Sequence, residues 1–253
     1  MNLDPYLKEA LLARLTALAD DEVVLAQRLS EWVGHAPILE EDIAIANLAQ
    51  DELGHAKMWL ELRGELDGSD PDRLVFLRDP LEYQNAVLVE LPKGDWAFTM
   101  VRQYLFDAYE EMWLKEAQKS AYAPLAEAAA RAHREERFHL KHSALWVERL
   151  AQGTEESHRR AQEALETLFP YARQLFQPLP GEEALVEAGL VPEPKALEGA
   201  YLEAVGGFLR RVGLRPPEGG YVPKSRQEHT EYLWSLLAEM QSVARWDPEA
   251  KAW

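Results

Sequence analysis

Residues 43–62 combine the spacing of a buried helix face with two polar side chains on that same face. The stretch IAIANLAQDELGHAKMWLEL repeats apolar residues at steps of three and four, as one face of a helix does. Glu52 and His55 occupy two places within this apolar series. A carboxylate in a protein interior is costly unless it is paired or bound to a metal ion. We therefore expect the rest of the chain to supply partners for both groups.

The composition indicates a folded chain with an acidic surface. Of 253 residues, 47% are apolar and 28% charged, which is typical of a globular protein. The net charge of −17 argues against nucleic acid or an anionic membrane as a partner, because both require basic surfaces. The sequence has no cysteine, no apolar run long enough to cross a bilayer and no recognisable secretion signal at its start. We expect a cytoplasmic protein.

Apolar periodicity predicts an all-α fold. Four long helices are expected at about 5–33, 38–66, 96–121 and 124–151. The segment 72–95 reads as an irregular crossover between two helix pairs. Shorter helices follow, the first with Thr154 as its N-cap and the last at about 228–246. Trp246 and Trp253, near the end of the chain, are candidate interface anchors.

Each of the four long helices carries a polar side chain within its apolar stripe. The second and fourth helices share a Glu-x-x-His pattern, and the first and third contribute one acid each. On the third helix Asp107 is the predicted ligand and Glu111 the alternative on the same face, whereas Glu110 falls one residue off that face. The predicted metal ligands are Glu22, Glu52, His55, Asp107, Glu136 and His139.

This set is typical of ferritin-like di-iron carboxylate bundles. Carboxylates bridge and neutralise two iron ions, and one histidine per ion leaves coordination positions open for dioxygen. We therefore predict a single domain over 1–253, in which a four-helix bundle (about 5–152) is followed by a helical extension (about 153–253). Its candidate cofactor is a di-iron centre.

A metal-free interpretation stays open at this point. Glutamate is common enough in this chain for one Glu-x-x-His to occur by chance, and a third copy begins at Glu155, where we expect a solvated helix start. The same buried groups could instead form a network of ion pairs and hydrogen bonds. Candidate cationic partners for such a network are Arg28, Arg102, Arg131 and Arg137.

Four blocks of the sequence resemble the phenylacetate-degradation C-subunit family. They are LAQRLSEWVGHAPILEEDIAIANLAQDELG (25–54), VRQYLFDAY (101–109), FHLKHSALWVERLAQGT (138–154) and HTEYLWSLLAEMQ (229–241). The resemblance implies a ferritin-like partner subunit of the multicomponent oxygenase that epoxidises the ring of phenylacetyl-coenzyme A. It also implies pairing with the catalytic subunit of that complex and a structural role with a degenerate metal site.

This chain departs from the family pattern at the metal site. Typical members tend to replace the positions of Glu22, Glu52, His55 and Glu136 by residues that bind no metal, whereas this sequence retains all four. Two hypotheses follow. The chain is either a structural partner of the catalytic subunit, able to pair with itself in isolation, or a di-iron oxygenase subunit that activates dioxygen at its own centre.

Overall fold

The computed structural model describes residues 3–250, and this part of the chain is helical without β-strands. Its helices, in chain order, are α1 (Pro5–Ser30), α2 (Leu39–Asp67), α3 (Pro71–Phe76), α4 (Val87–Glu90), α5 (Trp96–Ala117), α6 (Ala123–Gln152), α7 (Glu155–Ala172), α8 (Glu182–Glu187), α9 (Pro194–Val212), α10 (Glu231–Met240) and α11 (Ser242–Trp246). Two 3₁₀ turns lie at Pro80–Glu82 and Arg173–Phe176. The all-α prediction is confirmed. No helix of the described range has the length and apolar character needed to cross a membrane.

Local signals in the sequence set most helix ends. Asp4 caps α1 by accepting hydrogen bonds from the backbone N–H groups of Tyr6 and Leu7, and Gly68, with φ of 79°, ends α2. The predicted third helix ran to 121, but α5 ends at Ala117. Beyond that point tertiary bonds replace helical ones, since Ala121 N donates to the carbonyl oxygen of Gly189.

The four long helices form two antiparallel pairs, α1 with α2 and α5 with α6, joined by the crossover 68–95. Helix α7 then packs against α5 and α6, while α8 and α10 contact α1. One apolar core links the N-terminal and C-terminal halves and includes Leu11, Trp59, Leu114, Leu168, Leu209 and Leu237. Because α5 is surrounded by neighbours, it is buried on almost every side.

Buried ion pairs hold the crossover and the C-terminal segment against α1. The Asp20 carboxylate pairs with Arg78 of the crossover. The adjacent Asp21 accepts hydrogen bonds from Arg226 Nη1 at 2.7 and 2.8 Å, and from the backbone N–H of Ala86 at 2.6 Å. These two pairs fix how α1 is rotated, and so determine where the next residue, Glu22, points.

His229 makes long-range rather than local hydrogen bonds. Although His229 directly precedes Thr230, the N-cap residue of α10, its imidazole lies against Glu90 Oε2 at 2.9 Å and the Tyr83 carbonyl oxygen at 3.0 Å. The reason is that residues 226–230 lie against the crossover, where Arg226 and Thr230 also form hydrogen bonds with Gln84 and Glu90. Trp246 is 86% exposed, in keeping with the expected surface role, and Trp253 lies outside the described residues.

The His229–Glu90 contact predicts a pH-dependent contribution to stability. Burial alone would lower the pKa of His229, but the hydrogen bond and charge of Glu90 outweigh burial and raise it. A raised pKa in the folded state stabilises the fold below the unfolded value of about 6.5, and this contribution is lost as the pH rises through the folded value.

We expect His229→Ala to lower the free energy of unfolding by about 1–3 kcal/mol at pH 6, since it removes the hydrogen bonds to Glu90 and to the Tyr83 carbonyl oxygen. The loss should be smaller in the alkaline range. Urea unfolding at pH 6 and at an alkaline pH measures the loss of stability, with His35→Ala at an exposed site as the control. A larger loss at alkaline pH would contradict this assignment.

Candidate metal centre

Four helices bring four carboxylates and two imidazoles to a common interior point. Glu22 comes from α1, Glu52 and His55 from α2, Glu110 from α5, and Glu136 and His139 from α6. All six are at most 2% exposed. They form two groups whose ligand atoms lie within 4.8 Å of one another: Glu22, Glu52, His55 and Glu110 in the first, and Glu52, Glu136 and His139 in the second. Glu52 belongs to both groups, as a carboxylate bridging two metal ions would.

The structure brings Glu110, and neither Asp107 nor Glu111, into the first group. Asp107 is buried beside it and accepts hydrogen bonds from Gln103 Nε2 at 2.7 Å and from Ser143 Oγ at 2.6 Å. Glu111 lies further out and pairs with His133 at 3.1 Å. The sequence analysis placed Glu110 off the inward face because it assigned the third helix a single inward face. In the structure α5 is buried on almost all sides.

Each histidine is held by a half-exposed carboxylate from the opposite helix. His55 Nε2 lies 2.9 Å from Glu135 Oε2, and His139 Nε2 lies 3.2 Å from Asp51 Oδ2. We call Asp51 and Glu135 the outer carboxylates. Such partners fix the orientation of a metal-binding imidazole and its tautomer. Sequence reasoning missed them, although an acid directly precedes the glutamate in both Glu-x-x-His motifs.

The other ring nitrogen of each histidine faces the inner carboxylates. His139 Nδ1 lies 3.0 Å from Glu136 Oε2 and 3.6 Å from Glu52 Oε1. His55 Nδ1 lies 3.8 Å from Glu22 Oε1 and 3.9 Å from Glu52 Oε2, beyond hydrogen-bond distance. The ring centroids are 5.9 Å apart. Both Nδ1 atoms are thus directed at the space that the glutamates surround.

The electrostatics of the centre are dominated by buried negative charge. Burial raises the pKa of Glu22, and the nearby Glu110 and Glu52 raise it further. Burial likewise raises the pKa of Glu136 and of Glu110. Burial opposes protonation of His139, but its bonds to Asp51 and Glu136 prevail and raise its pKa to about 12. The centre therefore favours the uptake of positive charge, as protons or as metal ions.

The arginines proposed for a metal-free network lie elsewhere. Arg28 donates to the Glu90 carbonyl oxygen, and Arg102 donates to the carbonyl oxygens of Leu91 and Pro92. Arg131 and Arg137 are exposed on α6. Within the described range, no lysine or arginine forms an ion pair with the glutamates of the centre, and the basic side chains that lie against them are the two imidazoles.

The unsatisfied atoms of the centre match what metal ions require. Five of its buried side-chain atoms have no hydrogen-bond partner: Glu22 Oε2, Glu52 Oε2, His55 Nδ1, Glu110 Oε2 and Glu136 Oε1. Native interiors leave few polar atoms unpaired, and such a concentration calls for an explanation. Four glutamates and two imidazoles are the donor set that two iron or manganese ions take in helical bundles. The residues present therefore fit a two-metal centre.

Comparison with known proteins now identifies the lineage. The model of a family described as phenylacetic acid catabolic protein matches residues 4–253. The chain belongs to this family. It is also 39% identical over 231 residues to the C subunit of 1,2-phenylacetyl-CoA epoxidase from Escherichia coli (strain K12), covering 90% of this chain and 93% of that one. The resemblance drawn from the four sequence blocks is confirmed. These blocks contain Glu52 and His139 and end directly before His55 and Glu110.

The choice between Glu110 and Glu111 can be tested directly. We expect Glu110→Gln to weaken Mn²⁺ binding by more than the ~10–100-fold that loss of a merely orienting residue costs, because Glu110 has a free buried oxygen. Glu111→Gln should leave affinity unchanged. Equilibrium dialysis of both variants against wild type measures this, and full affinity in Glu110→Gln would remove Glu110 from the centre.

Proposed function

We propose that this chain is a subunit of a phenylacetyl-coenzyme A epoxidase, acting in aerobic phenylacetate catabolism. The observation that carries the proposal is the 39% identity to the C subunit of the Escherichia coli enzyme, extended over nine-tenths of both chains. A fold shared along the whole length preserves the surfaces that an assembly needs. In this proposal the chain works in the cytoplasm, where coenzyme A thioesters are made and used.

The proposed role of the chain is to pair with the catalytic subunit of the epoxidase complex and support its active site. A bundle of four long helices offers rigid, extended faces for such pairing, and a large continuous core keeps them in place. The ion pairs of Asp20 and Asp21 add rigidity by joining the crossover and C-terminal segment to α1. In isolation, a face built for a related subunit would also favour a homodimer.

A second function is favoured by the centre itself: we propose that the chain binds two metal ions. Glu22, Glu110, Glu52 and His55 would hold one ion, and Glu136 and His139 would hold the other together with Glu52. A bound pair of iron ions supplies the activation of dioxygen. This second candidate rests on the five unpaired buried atoms that meet at one point, for which the described residues offer no cationic arginine or lysine.

The chain's other residues would keep the ligands ready for metal. The outer carboxylates Asp51 and Glu135 hold each Nε2, so Nδ1 remains directed inward. Gln103 donates to Glu52 Oε1 at 3.0 Å and to Asp107, and so helps to hold the shared carboxylate in place. Buried Trp59, one turn after His55, closes the interior against water. Such preorganisation lowers the cost of binding.

The assembly proposal predicts a stable complex. When the chain is co-expressed with the other subunits of its own epoxidase and purified through a tag on the catalytic subunit, it should co-elute in stoichiometric amount on gel filtration. Elution as a separate species, at concentrations where the catalytic subunit is folded, would contradict the partner role.

The metal proposal predicts about two ions per chain in protein from iron-supplied cells, the occupancy of related bundles. Glu52→Gln should lose most of this metal because both groups contain Glu52, whereas Glu127→Gln at an exposed place on α6 should not. Elemental analysis of the purified chain measures both. If the wild-type chain contains no metal but still assembles with the other subunits, the metal proposal is wrong and only the partner role is supported.

A further inference from the structure

The outward side of α6 carries an ordered stripe of basic and apolar side chains. Arg131, Arg134, Phe138, Lys141 and Leu145 follow one another at steps of three, four, three and four, so they lie on one helix face. All five are exposed, Phe138 to 74% and Leu145 to 44%. We call these five residues the α6 stripe.

The charge of the α6 stripe has no counterpart within the described chain. Arg131, Arg134 and Lys141 form no ion pair there, whereas Arg159 and Arg160 on α7 each pair with a glutamate. Neighbouring like charges on a helix destabilise it slightly. The protein as a whole carries −17. A row of unpaired cations on so acidic a chain is the feature of a surface whose partner is negatively charged.

The apolar members indicate the class of partner. A large aromatic ring exposed between cations is typical of protein interfaces, in which aromatic residues and arginine carry much of the binding energy. Small-molecule sites are concave, but the outer face of a helix is convex. A protein surface can cover it, with an apolar hollow for Phe138 and acids around it.

The position of the α6 stripe relates it to the metal centre. On the circumference of α6, the stripe lies opposite Glu136 and His139, whose side chains are buried in the interior. A helix with its side chains is about 10–12 Å across. A partner seated on the stripe would therefore stand one helix away from the centre and would press on the element that supplies two of its ligands.

We propose that the α6 stripe docks an acidic face of the catalytic subunit of the same epoxidase. The proposal rests on the assembly function above and assigns the surface through which that assembly is made. Long-range attraction between the basic stripe and the acidic face speeds their encounter, and burial of Phe138 slows their separation.

The test measures binding of the intact chain to the purified catalytic subunit by surface plasmon resonance at low and high salt. Arg134→Glu with Lys141→Glu should raise the Kd by about 10- to 100-fold, mainly through a slower on-rate, and should abolish most of the salt dependence. Phe138→Ala should mainly raise the off-rate.

Matched controls separate the surface from general effects. Lys195→Glu with Arg215→Glu changes two exposed, unpaired cations and gives the same net charge, and Leu81→Ala removes another side chain more than 70% exposed. Both should bind as wild type. Unchanged thermal unfolding of every variant shows that the fold is intact.

Each other outcome counts against the proposal. If wild type binds the catalytic subunit and the α6 variants bind it equally well, the docking surface is wrong while the assembly function stands. If wild type does not bind the catalytic subunit, both are overturned. If the variants abolish only self-association, seen by analytical ultracentrifugation, the stripe belongs to a second copy of this chain.

Discussion

The structure depends on how this fold tolerates carboxylates in its interior. Glu22, Glu52, Asp107, Glu110 and Glu136 are each at most 2% exposed and lie near two imidazoles. Removing a carboxylate from water is costly unless a positive charge or hydrogen bonds compensate it. Asp107 is compensated by Gln103 and Ser143, but the glutamates retain free oxygen atoms. Four helices thus converge on a site that is incomplete without added positive charge.

The same chain contains buried acids that are each paired with an arginine. Asp20 pairs with Arg78, Asp21 with Arg226, and Glu182 with Arg14, each inside the fold. Glu22 is the next residue after Asp21, yet no arginine or lysine of the described residues accompanies it. This difference between neighbours on one helix separates acids that stabilise the fold by ion pairing from acids gathered around a common point. The second arrangement is that of metal ligands.

Periodicity in the sequence was sufficient for the bundle and for most of the centre. Both Glu-x-x-His motifs and Glu22 interrupt clear apolar stripes, so their convergence could be predicted from spacing alone. The place of Glu110 in the centre could not be predicted in this way, because α5 is buried on nearly all sides and its sequence does not single out one inward direction. The contacts of His229 with Glu90 and of Arg226 with Asp21 join residues 139 and 205 positions apart. No local pattern encodes such pairs.

Family membership and the centre together support the proposed function. The chain belongs to the phenylacetic acid catabolic protein family, its similarity to an epoxidase subunit supports the proposed assembly, and the buried glutamates and histidines form a cluster that could hold metal ions. Anomalous X-ray diffraction at the iron edge, from crystals of iron-grown protein, tests this most directly. We predict two peaks inside the bundle, one on each side of the Glu52 carboxylate. A well-ordered centre without any peak, its glutamates protonated and bonded to one another, would contradict it.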